Sequence, residues 1–326
     1  MSSLQRLETV MAGRTPDRPP FSFWYHFPAD QVSGEAAVQA HLDHLEKYGL
    51  DFLKVMNDNR YPHAGVIEQL RQLGELGPLR GDEEGLGLQL KLISELRGRV
   101  GRDVPLMTTI FNSWAVLRAL IKPPSGHRPP NLNAAEDAPS QWLREAAGRE
   151  GKIVAAALRT IGENLARFAA RCVEAGADGI FLSVRDDWVD VPGGPGGMYN
   201  ELVRATDLQI LSSAAGAKFN MLHVCGKAAD FRAFARYPVA ILNWADRAAG
   251  PSIGQVKDWL KPAICGGVDN LSTLVRGTAQ DVAREVADSL SQAGQRPMIV
   301  APGCTFDPAA VPEANLRALA QSVRGG

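Results

Sequence analysis

A histidine and a cysteine two residues apart, His223 and Cys225, and a further soft donor at Cys304 are the side chains here whose types and spacing suit metal chemistry. On a β-strand, residues two apart point to one face, so His223 and Cys225 can aim at a common point. Two thiolates balance the charge of Zn2+ and an imidazole adds a third ligand. The fourth tetrahedral position then stays open, as catalytic zinc requires. A thiol entering that position would be held as thiolate at neutral pH, because the metal stabilises deprotonated sulfur. The same three residues could equally be two small buried cysteines and a hydrogen-bonded core histidine, since cysteine is among the most buried residue types. Spacing alone leaves both readings open. Cys265 could compete as a ligand but reads as buried, and Cys172 reads as helix packing.

Such donors need a scaffold that brings distant strand ends together. Short β-prone runs alternate with longer amphipathic stretches, the signature of β/α units around a parallel sheet. Eight such runs are visible: 21–27, 52–56, 105–111, 179–184, 219–225, 240–244, 263–268 and 298–301. Helical candidates between them include 35–48, 140–175, 199–214, 278–293 and 313–323. Eight strand–helix units predict an α/β fold of the (β/α)8 TIM-barrel class, a single domain over residues 1–326 with an N-terminal helix. An open doubly wound sheet would usually show a Gly-rich phosphate turn after an early strand, and none is present. The run from Pro192 to Gly197 suits a loop at the mouth better than a phosphate cradle. Lys122 to Pro139 carries five prolines and reads as a Pro-rich lid loop.

In such a barrel the active site lies at the C-terminal strand ends. Those ends carry Tyr25-His26, Asn57-Asp58, Asn112, Arg185-Asp186-Asp187, His223-Val224-Cys225, Asn243 with Asp246, Asp269-Asn270 and Cys304. His26 is a candidate proton donor or polar clamp. Tyr25, its neighbour, points to the opposite side. Asp269 could orient the His223 ring, or could cap the turn that follows it. Asn112 and Asn243 are candidate contacts to a cofactor.

Thirty-five Lys and Arg against thirty-six Asp and Glu give a formal charge of −1, so composition offers no general attraction to nucleic acid or an anionic membrane. No apolar stretch approaches the roughly 18 residues of a membrane span, and the opening segment lacks a secretory core. A cytoplasmic protein acting on a small molecule is expected, with a homodimer left open. Four scattered cysteines do not make a disulfide framework.

His223-Val224-Cys225-Gly226, Gly266-Gly267-Val268-Asp269, Gly303-Cys304 and Val311-Pro312-Glu313-Ala314-Asn315 together resemble the uroporphyrinogen decarboxylase superfamily. The segments Arg6 to Arg14 and Glu174 to Asp178 extend the resemblance over most of the chain. It implies a (β/α)8 barrel. Closest in motif is the branch of zinc-dependent corrinoid methyltransferases, in which a His-x-Cys pair and a distant cysteine hold Zn2+ and a thiol accepts a methyl group from methylcobalamin on a carrier protein. His223, Cys225 and Cys304 match those positions. The alternative branch decarboxylates a carboxylated tetrapyrrole without metal and grips its carboxylates with an N-terminal Arg-rich segment. Here the corresponding strand, Phe21 to Phe27, has no arginine, and many carboxylates call for bidentate cations. Arg60, Arg128 and Arg185 are the remaining loop candidates. A tetrapyrrole-binding protein without turnover is a third reading.

Overall fold

Alternation along the strands sorts the apolar residues into two separate sets. Phe52, Met56, Met107, Phe181, Met221, Ile241, Ala263, Cys265, Ile299 and Ala301 pack together on one face. Leu53, Val55, Leu106, Ile110, Ile180, Leu182, Val184, Leu222, Val224, Leu242 and Ile264 pack under helices on the other. Strands buried on both faces are what a parallel sheet wrapped by helices demands. The computed structural model describes residues 1–122, 138–185, 202–226 and 231–325.

The elements run α1 (Ser3–Met11), α2 (Gly34–Tyr48), β1 (Leu53–Val55), α3 (Glu84–Val100), β2 (Leu106–Phe111), α4 (Ser113–Leu120), α5 (Ala138–Glu174) and β3 (Gly179–Arg185). They continue with α6 (Arg204–Ser213), β4 (Met221–Cys225), α7 (Phe231–Phe234), β5 (Ile241–Trp244), α8 (Ile253–Val256), β6 (Ala263–Val268), α9 (Thr273–Arg276), α10 (Ala279–Ala293), β7 (Met298–Pro302) and α11 (Glu313–Arg324). Among the described residues seven strands form one parallel, TIM-barrel-like curled sheet in sequence order, β1 to β7. Leu7 and Val10 of α1 join the inward apolar set. No described helix is long and apolar enough to cross a membrane.

The first expected strand is the one that departs from the reading. Residues 21–27 form no regular strand; two isolated parallel bridges, Phe21 to Val300 and Tyr25 to Phe306, take its place. The segment still bonds to both edges of the sheet. Val300 N donates to Pro20 O at 2.9 Å and Ser22 N to Val300 O at 3.2 Å, while Asp51 N donates to Phe21 O at 2.9 Å. Pro20 has no N–H for a ladder, and the Phe23 carbonyl is taken at 2.8 Å by His44 Nε2 instead of a strand partner. The buried Asp51 carboxylate anchors the segment by accepting from Arg18, Arg6 and the Phe21 amide. The long helix expected over 140–175 is interrupted at Glu150 (φ −132°, ψ 46°), between Gly148 and Gly151. The lid loop, but for its ends, and the Pro192–Gly197 run lie outside the described residues, as do Arg128, Asp186 and Asp187.

Candidate metal centre

Strand register builds the site from below. Ser183, His223, Asn243, Cys265 and Ile299 are successive partners across β3 to β7, so they form one rung of the sheet. His223 and Asn243 are thereby neighbours on the inward face. Cys225 stands two residues beyond His223, opposite Arg185, at the rim. Cys304 follows β7 on a short turn held by three strand-end contacts. Gly303 N donates to Val268 O at 3.0 Å, Asn243 Nδ2 to Pro302 O at 3.1 Å, and Asn270 Nδ2 to Thr305 O at 2.8 Å.

The three expected donors converge. One ligand atom from each of His223, Cys225 and Cys304 lies within 4.8 Å of the others, and Cys304 Sγ is 3.4 Å from His223 Nε2. His223 is only 3% exposed, whereas the two cysteines are half-buried. Asn243 fixes which ring nitrogen is available. Its Nδ2 is committed to two carbonyls, Cys265 O at 2.9 Å and Pro302 O, so its Oδ1 faces His223 Nδ1 at 2.6 Å. A carbonyl oxygen only accepts, so Nδ1 carries the proton and the lone pair of Nε2 points toward the cysteines. That is the tautomer a metal-ligating imidazole needs. Phe181 stacks on the ring at 5.2 Å and an interplanar angle of 28°, limiting its rotation.

The electrostatics favour sulfur as an anion. The Cys225 side chain hydrogen-bonds to Cys304 and, against the effect of burial, holds the Cys304 thiol well below its usual range. Burial pushes the Cys265 thiol well above it, and Cys265 is outside the converging set. Two sulfurs and one imidazole nitrogen fit Zn2+ in chemistry and are one donor short of a tetrahedral set.

The other expected residues sit elsewhere or do other work. Asp269 accepts from the Leu271 and Ser272 amides, each at 2.8 Å, so it caps the turn into α9; the ring-orienting duty read for it belongs to Asn243. Asn112 is fully buried as the N-cap of α4, with Oδ1 accepting from Ala115 N and Nδ2 donating to Asp207. Asn112 and Asn243, read as contacts to a cofactor, are both fully buried with their amides bonded within the chain. His26 is exposed at 44% and pairs with Asp58 at 2.7 Å, while Tyr25 packs between His44 and Phe306. Asp246, pushed up to about 6 by burial, accepts from Gly267 N. Arg60 is exposed and Arg185 buried. Asn270, which ties down the Cys304 turn, went unassigned in the sequence because nothing there pairs it with Thr305.

A family model described as uroporphyrinogen decarboxylase matches residues 44–326. No curated protein sequence matches. Among solved structures, a methyltransferase from Methanosarcina mazei superposes with a TM-score of 0.78 at 18% identity, covering 100% of this chain and 99% of that one. At that identity the likeness is one of fold. A B12-independent methionine synthase from Shewanella sp. W3-18-1 has a TM-score of 0.48 at 13% identity, over 72% of this chain and 66% of that one, and nothing rests on it.

Proposed function

This chain belongs to the uroporphyrinogen decarboxylase family, and on that premise we propose that it is a methyltransferase that moves a methyl group from a methyl-corrinoid to a thiol-type acceptor. His223, Cys225 and Cys304 hold a catalytic Zn2+ in this reading. The observation that carries it is the convergence of one nitrogen and two sulfurs within 4.8 Å, with the Asn243 contact leaving His223 Nε2 as the donor. Zn2+ bound there would supply the Lewis acidity that keeps an entering thiol deprotonated at neutral pH.

The chain's own groups do the rest. Asn243 holds the imidazole in one tautomer and one orientation. The Val268 and Asn270 contacts fix the turn that presents Cys304. His26, paired with Asp58, serves as a polar clamp at the exposed rim. The methyl-corrinoid is a co-substrate brought by a carrier protein. The activity named for the structural neighbour from Methanosarcina mazei agrees with this reading.

Metal analysis of the purified protein tests it. About one zinc per chain is expected, most of it lost in Cys304→Ser. A wild type without zinc, or unchanged zinc in the variant, rejects the assignment. Decarboxylation of a tetrapyrrole that survives both chelation and the cysteine substitutions would place the chain in the metal-free branch instead.

A further inference from the structure

Lys54 lies inside the curled sheet, on the inward face of β1 with Phe52 and Met56, and is only 4% exposed. Its Nζ rests 3.0 Å from Met56 Sδ, 4.3 Å from the centre of the Phe181 ring and 5.7 Å from that of Trp24. Phe181 in turn stacks on the ring of His223. Among the described residues no oxygen accepts a hydrogen bond from Lys54; a thioether and two ring faces are its partners. A buried ammonium ordinarily has a carboxylate or several oxygens around it, because leaving water unpaired is costly. Burial accordingly pushes this amine down to about 7, against the fields of Cys304 and Asp58. The other titratable neighbour, His41, is pushed down to about 4 by its own burial and is neutral near pH 7.

Zn2+, two thiolates and a neutral imidazole sum to no net charge, so an acceptor arriving as thiolate brings one uncompensated negative charge into a partly buried site. We propose that Lys54 is the counter-charge of that site: its amine takes up a proton as the acceptor thiol gives one up, and the resulting ammonium holds the acceptor sulfur anionic. The acceptor's S–H bond breaks with the electron pair kept on sulfur, and an N–H bond forms on Lys54. Lys54 acts through space as a positioning charge and ligates nothing. The inference rests on the zinc-and-thiol reading above.

The test is a proton inventory of thiol binding to the zinc-loaded protein, by calorimetry in buffers of different ionisation enthalpy with 2-mercaptoethanol as the probe. At about pH 8 the wild type should release well under one proton per thiol bound. Lys54→Met suits the surroundings of Met56, Trp24 and Phe181; in it, release should rise to a full proton and thiol affinity should fall about tenfold with zinc content unchanged. Lys54→Gln replaces it if the methionine variant does not fold. Full-proton release by the wild type, or equal affinity in wild type and variant, overturns the role of Lys54 and leaves the zinc reading standing. A wild type that takes up no zinc, or zinc but no thiol, overturns both.

Discussion

Asn243 decides the chemistry of His223 without itself being one of the three converging donors. With its amide nitrogen held by Cys265 O and Pro302 O, only its oxygen can meet the ring, and Nε2 is left as donor. Asn243→Ala removes that constraint and strands two buried carbonyls. Zinc affinity, measured by competition with a chelator, should drop about 10- to 100-fold. Cys265→Ala, which removes a fully buried thiol from the same rung, should leave it unchanged; equal losses in the two variants would mean that general disruption of the rung, and not the tautomer, sets affinity. The His-x-Cys pair could be read from strand alternation because both residues lie on one short strand. The partnership with Asn243 could not, because it depends on the register between β4 and β5, which no local pattern encodes. Lys54 was equally silent: a lysine in a strand reads as a surface residue until the burial of its neighbours is known.

Cys304 reaches the other donors because the turn after β7 passes close to the end of β5. At Gly303, a Cβ would lie 2.6 Å from Ala245 Cα and 3.2 Å from its Cβ, so any side chain there forces the two strand ends apart. Gly303→Ala should therefore shift the Cys304 turn, cost about 1–3 kcal/mol of stability by urea unfolding, and reduce zinc retained after dialysis. A variant with full zinc retention would show that the turn has slack the packing does not suggest. The elements carrying the donors were legible for a common physical reason: β4 to β7 are apolar on both faces and bounded by turns, so runs at 219–225, 240–244, 263–268 and 298–301 match them to within two residues at either end. The run at 21–27 carried the same apolar signal. It failed as a strand because Pro20 lacks a donor and a side chain from α2 captures the Phe23 carbonyl, and neither a helix-to-strand bond nor its geometry is written in local periodicity.

At the scale of the molecule, the seam between β7 and β1 depends on two histidines being neutral. His41 Nδ1 donates to Ala37 O at 2.7 Å while its Nε2 accepts from Met56 N at 3.0 Å, just past β1. His44 donates to Phe23 O in the irregular segment, and its buried Nδ1 has no hydrogen-bond partner among the described residues. Burial pushes both rings down to about 4 from the ordinary 6.5. An unfolded chain takes up these protons as pH falls through 6.5, whereas the folded chain resists until about 4. The folded state thus binds fewer protons across that window, and stability falls as pH drops through it, by at most about 3 kcal/mol per ring, with no further loss from these groups below it. Protonating His41 also destroys its acceptor for Met56 N, so acid should loosen the end of β1 together with the segment at 21–25. The urea midpoint should decline steeply between pH 6.5 and 4 in the wild type. His44→Phe fits a cluster already made of Phe23, Tyr25, Phe27 and Tyr48. It should start about 1–2 kcal/mol lower at neutral pH, because the Phe23 carbonyl loses its donor, yet decline less steeply on acidification. Parallel slopes for variant and wild type would mean that the acid sensitivity arises outside this seam.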